Sequence, residues 1–376
     1  MKTLKMSCYD NFRCVGGECP LTCCEFSWNI DIDKETEKYY RSVEGPFGEE
    51  LKANMVDHEG RQFFHFEEGF RCHFLREDGL CRIVLELGDD KLGGTCKYYP
   101  RFYKRSEHIA FRGMNISCPE VGRLILKRDK FCIEQCDNLP GALSRKSDGA
   151  GSDTLFEAYK TAFGIIRDHS VNVRQRICAL ILYADQLQEC LDVGEDPSAL
   201  MSFFSEAARY VPVLHELGDK KKDVKKRIEL LSALARITIS NAVHTSVLDM
   251  LKCFTERLES SGEEIDRLFI GFDESIPQEE QENLMVYLLF LYMMKEWEEG
   301  GFLKAVLFSV IRFLLYETTS VLCAKEKGLS CFEERILQLA IQERIIEHNT
   351  VIGETFSAEL EKTGRINPDW LLEAVC

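Results

Sequence analysis

CVGGECPLTCC, residues 14–24, places four cysteines within eleven residues near the start of the chain. Gly16-Gly17 and Pro20 interrupt any regular helix or strand, so residues 1–30, which include this stretch, are predicted to be an irregular, cysteine-rich loop. A thiolate is a soft ligand, and several thiolates on a glycine-containing loop can converge on a zinc ion or an iron–sulfur cluster. The loop therefore predicts a metal centre that the rest of the chain serves.

Four cysteines further along the chain extend this loop to a set of eight. The predicted metal ligands, called the eight-cysteine set below, are Cys14, Cys19, Cys23, Cys24, Cys72, Cys81, Cys96 and Cys118. The chain has no Cys-x2-Cys pair of the zinc-finger form, so a [4Fe–4S] cluster is favoured and zinc is the alternative. The spacing does not select which four thiols bind. The Cys-x3-Cys-x2-Cys motif of the radical enzymes that use S-adenosylmethionine is absent.

Cysteine usage as a whole also indicates metal or redox chemistry. The chain has 17 cysteines, 11 of them before residue 137. The first residues lack the apolar core of a signal peptide, so we expect a cytoplasmic protein, in which thiols stay reduced. Cys132 and Cys136 lie one helical turn apart if this segment is helical. Buried, unreactive thiols are expected in the helical part, at Cys178, Cys190, Cys253, Cys323, Cys331 and Cys376.

Charge and hydropathy exclude two classes of partner. The net charge of −16 argues against binding to nucleic acid or to anionic lipid. The most apolar stretches are Leu284–Met294 and Phe302–Leu315, and both are too short or too charged to cross a bilayer. They are predicted to be buried core helices. The oligomeric state does not follow from the sequence.

The pattern predicts a mainly α protein in two parts. Residues 1–136 form a cysteine-rich α+β metal-cluster module, residues 137–152 form a linker, and residues 153–376 form an all-α domain of seven or more helices. Within the module, Asp33 or Asp31 is the expected N-cap of a helix that begins at Lys34.

The cysteine motifs resemble those of the flagellin lysine-N-methylase (FliB-type) family, over about residues 9–126. The module is also similar to a wider class of cysteine-cluster proteins that chelate zinc or iron. The motifs that carry the resemblance are Phe12-x-Cys14-x-Gly16-x2-Cys19-x3-Cys23-Cys24, Trp28, Ile30-Asp31-Ile32-Asp33, Cys72-x-Phe74-Leu75, Leu80-Cys81, Leu87-Gly88, Thr95-Cys96-x2-Tyr99-Pro100-Arg101, Ser117-Cys118-Pro119-Glu120 and Arg123-Leu124.

The resemblance implies a function that composition alone does not give. It implies methyl transfer from S-adenosylmethionine to lysine ε-amines of flagellin, in a protein with an iron–sulfur cluster. No glycine-rich loop of the Rossmann type is visible, so the usual methyltransferase cofactor site is missing. Our hypothesis is that the amino and carboxylate groups of S-adenosylmethionine bind a cluster iron that the protein leaves open.

Candidate residues for the chemistry lie close to the cysteines in sequence. Tyr98, Tyr99 and Glu120 are the leading candidates for taking the proton of a lysine ammonium, and Asp31 and Asp33 are further ones. For each of them, packing or helix capping is the competing interpretation. Arg101 could hold a carboxylate of the cofactor, or pair with Glu107 or Glu120. His73, beside Cys72, is the one histidine near a predicted ligand.

Three functions are compatible with these residues. The first is the lysine N-methyltransferase that the resemblance implies. The second is a non-enzymatic zinc- or iron-binding protein whose acidic helical domain docks a protein partner. The third is an electron-transfer or metal-handling protein.

Overall fold

The structure is a computed structural model that describes residues 2–25, 30–64, 66–67, 71–127, 131–137, 150–216, 223–239, 267, 269–271, 275–322 and 331–375. The described chain is mostly helical, with three small sheets confined to its first 137 residues. The predicted mainly α class is therefore confirmed. The helical periodicity also predicts a helix at 243–258, which lies outside the described residues. The same holds for Trp28 and for most of the predicted linker.

Nine strands build the three sheets. They are β1 (Lys2–Met6), β2 (Asp31–Ile32), β3 (Met55–His58), β4 (Arg61–Phe64), β5 (Phe66–Glu67), β6 (Arg71–Cys72), β7 (Arg101–Arg105), β8 (Ile109–Met114) and β9 (Ile133–Asp137). The largest sheet has the order β7-β8-β1-β9, in which β1 runs parallel to β8 and the other pairs are antiparallel. The smaller sheets are β2-β4-β3 and β5-β6.

The expectation of an irregular segment over residues 1–30 is wrong at its start. Lys2–Met6 is a central strand of the largest sheet, and Met6 is fully buried. Its partners begin at Ile109 and Ile133, more than 100 residues away. Five residues with a weak alternation do not reveal such a pairing, because the stabilising contacts are all long-range.

Fifteen named helices complete the described fold. They are α1 (Lys34–Ser42), α2 (Gly45–Ala53), α3 (Arg82–Leu87), α4 (Gly94–Tyr98), α5 (Pro119–Leu126), α6 (Ala150–Ile166), α7 (Val173–Val193), α8 (Ser198–Phe204), α9 (Ala207–Glu216), α10 (Val224–Ile239), α11 (Gln278–Glu296), α12 (Phe302–Leu322), α13 (Phe332–Glu347), α14 (Thr350–Lys362) and α15 (Pro368–Val375). Asp33 caps α1, as its position predicts.

Helices α11 and α12 form the centre of the helical part, as their apolar sequences predict. Every residue of α12 from Ala305 to Leu322 is buried. This helix is long and apolar enough to cross a membrane by length and composition alone, and its apolar window is wholly buried inside the protein. Buried ion pairs stabilise the surrounding helices, such as Arg335 with Glu280 at 2.8 Å and Arg176 with Glu282 at 2.8 Å.

Two apolar cores are present among the described residues. The larger core joins the four-stranded sheet to the helices, for example through Phe111 against Phe290 and Trp297. The smaller core lies in the N-terminal part and is built around Tyr40 and Phe74. The division of the chain at residues 137–152 stays a prediction.

Candidate functional site

The cysteine loop, residues 14–24, lies against a tight turn at residues 76–80. A Cβ atom on Gly17 would lie 2.5 Å from the carbonyl oxygen of Asp78, so only glycine allows this close approach. Gly79 adopts a φ of +76°, which also favours glycine. The contact holds the cysteine loop against the turn that Cys81 follows.

Cys72 and Cys81 lie on the two arms of this turn. The backbone N–H of Cys72 donates to the carbonyl of Cys24 at 2.8 Å. An antiparallel bridge joins Leu75 to Cys81. Main-chain bonds therefore hold both cysteines next to the cysteine loop.

Cys96 is positioned by α4, which Asp33 connects to α1. The Asp33 carboxylate accepts hydrogen bonds from the backbone N–H of Gly94 at 3.0 Å and of Thr36 at 2.9 Å. These bonds lower the pKa of Asp33 to about 2, so the carboxylate is ionised at neutral pH. The predicted proton acceptor thus has a structural role, which was the competing interpretation.

Cys118 is the N-cap residue of α5. Its carbonyl accepts from the backbone N–H groups of Val121 at 3.0 Å and Gly122 at 3.2 Å. The thiol is buried, and burial raises its pKa to about 12, with a further rise from Cys19 and Cys23.

Cys23 interacts electrostatically with several other cysteines of the set. A hydrogen bond with Cys24, followed by burial, raises the pKa of Cys23. Burial raises the pKa of Cys96, and the charges of Cys23, Cys72 and Cys81 add to it. The charge of Cys23 also raises the pKa of Cys81 and Cys118, so this loop cysteine lies near cysteines from the rest of the module.

The donor chemistry of this set suits a thiophilic metal, since it is all thiol. The part of the chain that the structure describes nevertheless contains no group of three or more His, Cys, Asp or Glu side chains arranged to hold an ion. The metal-ligand role of the eight cysteines therefore stays a prediction.

Arg344 of α13 joins the helical part to the cysteine loop. Its buried guanidinium donates to the carbonyls of Leu21 at 2.8 Å, Thr22 at 3.0 Å and Ser117 at 3.0 Å. Three charge-assisted bonds to main-chain oxygens fix both the loop and the approach to Cys118.

A chain of hydrogen bonds lies beside Cys118. The Ser117 hydroxyl is 2.9 Å from the Tyr99 hydroxyl and 2.9 Å from Nε2 of His348. Burial lowers the pKa of His348 to about 4 and raises that of Tyr99, so both side chains are neutral at pH 7. Sequence reasoning identified Tyr99 but missed Ser117 and His348. No local signal could have found His348, because 231 residues separate it from Ser117.

The other leading candidates lie apart from this chain. Tyr98 is 62% exposed. Glu120 pairs with Arg123, which also contacts Glu333. The candidate cofactor ligand, Arg101, stacks on the rings of Tyr9 and Phe12, with its guanidinium carbon 5.4 and 5.1 Å from the ring centroids. Among the described ion pairs, neither Glu107 nor Glu120 is its partner.

Two further candidates also have structural partners. Asp31 pairs with Arg61 at 2.9 Å. His73 contacts Glu50 at 2.8 Å and is half-buried.

Several cysteines outside the set differ from expectation. Cys136 lies on strand β9, so Cys132 and Cys136 are not one helical turn apart. Cys331 is exposed. Cys178 is disulfide-bonded rather than a free thiol. Cys253, Cys323 and Cys376 lie outside the described residues.

The fold and the site define a class: a cysteine-rich α+β module anchored by Arg344 to a helical domain. Within this class, the chain belongs to the FliB lysine N-methylase family. The profile of the FliB lysine N-methylase C-terminal domain matches residues 159–372, which is most of the helical part. The membership of the FliB-type family that the sequence predicts is thereby confirmed.

Curated relatives match a shorter part of the chain. The flagellar biosynthetic protein FliU of Salmonella muenchen is 31% identical over 123 residues, which cover 31% of this chain and 72% of FliU. Lysine-N-methylases of Salmonella choleraesuis and Salmonella typhimurium are each 32% identical, over 31% of this chain. The chain spans only about 30% of the length of these two methylases. No solved structure matches the chain.

Proposed function

We propose that this protein is a lysine N-methyltransferase that transfers the methyl group of S-adenosylmethionine to lysine ε-amines of flagellin. The eight-cysteine set is proposed to bind an iron–sulfur cluster. Membership in the FliB lysine N-methylase family supports the reaction class. The names of the relatives, lysine-N-methylase and flagellar biosynthetic protein, support a flagellar protein as the substrate.

The observation that carries the proposal is the position of the eight-cysteine set against the family's C-terminal domain. Arg344 lies within the matched residues 159–372 and donates to Leu21 and Thr22 of the cysteine loop. This contact brings the cysteine loop against the domain that carries the family assignment, which supports a functional role for the loop.

The proposed reaction replaces one N–H bond of the substrate by an N–CH₃ bond. A lysine ammonium, with an ordinary pKa of about 10.4, must first lose a proton. The amine nitrogen then bonds to the methyl carbon while the S–CH₃ bond breaks, and the sulfonium leaves as a neutral thioether. We assign Tyr99, Ser117 and His348 to passing the released proton to solvent through their hydrogen bonds. A cluster with an open iron would supply a binding point for the cofactor's amino and carboxylate groups.

The proposal is tested on anaerobically purified protein. Iron and sulfide are measured together with visible absorption, and flagellin is incubated with protein and S-adenosylmethionine before intact-mass analysis. We expect about four iron and four sulfide per chain and mass increases of one or more methyl groups. Cys23→Ser should lose the metal, whereas Cys190→Ser, on α7 and outside the set, should retain it.

Two results would contradict the proposal. A colourless protein with one or two zinc ions per chain would show that the cysteines do not bind an iron–sulfur cluster. Unmodified flagellin after incubation with the metal-loaded protein and S-adenosylmethionine would contradict the proposed methyltransferase activity. The eight cysteines would then stabilise the module, and the acidic helical domain would be tested for a protein partner.

A further inference from the structure

At the end of α11, the ammonium of Lys295 lies between Glu347 of α13 and the ring of Tyr292 on α11 itself. Lys295 pairs with Glu347, and its nitrogen lies 5.3 Å from the centroid of the Tyr292 ring. Glu347 also accepts a hydrogen bond from the Tyr292 hydroxyl at 3.0 Å. The Glu347 side chain is only 6% exposed, whereas Lys295 is 39% exposed. A buried carboxylate and an aromatic face thus surround a cation that reaches solvent.

The position of Glu347 makes a cation necessary there. Glu347 is the last residue of α13, where the helix dipole is already negative. Burial by itself would raise the pKa of Glu347, but Lys295 and Arg312 outweigh it and keep the pKa below its ordinary value. Without Lys295, less positive charge would lie near the buried, ionised carboxylate of Glu347, which would destabilise the fold.

His348, the C-cap residue of α13, connects this ammonium site to the neighbourhood of Cys118. His348 follows Glu347 directly and contacts Ser117, which precedes Cys118. The imidazole is neutral at pH 7, so it adds no repulsion toward a cation. From the other side, Lys104 of β7 donates to the carbonyl of Met294 at 2.7 Å and ties the end of α11 to the N-terminal module.

We propose that Glu347 and Tyr292 form the subsite for the substrate's lysine ammonium, and that Lys295 occupies it until the substrate displaces it. This inference rests on the proposed lysine methylation. The incoming side chain has the same ammonium group as Lys295, so it satisfies Glu347 without leaving the carboxylate uncompensated. The exposed position of Lys295 allows the exchange without opening the core.

Chemical rescue tests the ammonium site independently of methylation. The melting temperature of full-length Lys295→Ala is measured with increasing n-butylammonium chloride, and with sodium chloride at equal ionic strength. We expect the amine to raise the melting temperature of the variant more than sodium chloride does. Lys295→Ala/Glu347→Gln should show no such difference. Lys295→Gln gives the same comparison if the alanine variant does not fold.

Lys304→Ala is the matched control. Lys304 is 44% exposed and lies 3.4 Å from the carboxylate of Glu296, which is 12% exposed. Among the described residues, no aromatic ring lies in cation–π contact with Lys304. This ion pair therefore lacks the ring that completes the Glu347 site. We expect n-butylammonium and sodium chloride to act equally on this variant. An equal response of Lys295→Ala to both salts would overturn the ammonium site.

Kinetics then test the substrate role. Lys295→Ala should lower KM for flagellin about two- to fivefold, as expected for removing a partly exposed competing ion pair. Glu347→Gln should raise KM, and Lys304→Ala should leave it unchanged. If n-butylammonium rescues Lys295→Ala but the KM of this variant for flagellin is unchanged, the ammonium site is supported. The proposal that it binds the substrate lysine is then overturned. If the chain does not methylate flagellin at all, the rescue experiment still decides the ammonium site.

Discussion

Asp33 shows how one side chain can connect two elements of the module. Its carboxylate caps α1 at Thr36 and binds the first N–H of α4 at Gly94. Asp33→Ala should lower the free energy of unfolding by about 1–2 kcal/mol, since helix N-caps contribute about this much. Urea unfolding at pH 7 measures the change. Asp31→Ala, which removes a solvent-exposed ion pair with Arg61 but no helix cap, should change stability by less than about 1 kcal/mol.

The pH dependence of this effect has a defined sign. The pKa of Asp33 is lowered to about 2, below the ordinary value of about 3.9 in an unfolded chain. Its contribution is therefore complete above pH 5 and is lost as the pH falls through 4 toward 2. The stability difference between wild type and Asp33→Ala should shrink between pH 5 and pH 3. A constant difference over this interval would contradict the assignment.

Arg344 offers a second test at the residue scale. Arg344→Met keeps much of the apolar stem but removes the hydrogen bonds to the carbonyls of Leu21, Thr22 and Ser117. We expect a loss of about 3 kcal/mol in the free energy of unfolding, because buried oxygens lose charged donors. Arg236→Met is the control, since Arg236 is 65% exposed and 3.9 Å from Glu359. Similar unfolding midpoints for the two variants would show that Arg344 does not anchor the loop.

At the scale of elements, the contact between the cysteine loop and the 76–80 turn depends on glycine. Gly17→Ala would place a methyl group 2.5 Å from the Asp78 carbonyl, so the loop or the turn must move. We expect lower stability and less bound metal per chain, measured by urea unfolding and metal analysis. Gly164→Ala on α6 meets no atom within 4 Å and should be neutral or stabilising by about 1 kcal/mol. Normal metal content in Gly17→Ala would contradict the role of this contact.

The elements also show what the sequence could and could not predict. The helix at α1 follows from a local cap, and the buried helices α11 and α12 follow from local hydropathy. Strand β1 depends on partners more than 100 residues away, and short local patterns do not record such pairings. The same limit applies to the site. The cysteines are visible in the sequence, whereas the contact of His348 with Ser117 exists only after α13 packs against the module.

At the scale of the whole molecule, the eight-cysteine set lies across the two cores. Cys72 is buried in the smaller core, with Cys24, Cys81 and Cys96 packed against it, whereas Cys118 belongs to the larger core. The smaller core has nine buried residues among those described, so it should open at lower free energy than the larger one. A metal bound by thiols from both cores would link them, because opening the smaller core would then break ligand bonds.

Hydrogen exchange of metal-loaded and metal-free protein tests this link. Metal removal should increase exchange of the amides around Tyr40 and Phe74 more than those around Phe111 and Phe290. Cys118→Ser should produce the same pattern even in the presence of metal, since it removes the predicted ligand from the larger core. Cys190→Ser, outside the set, should match wild type. If metal removal raised exchange equally in both cores, or in neither, the eight-cysteine set would not couple them, and the packing of α13 through Arg344 would account for their association.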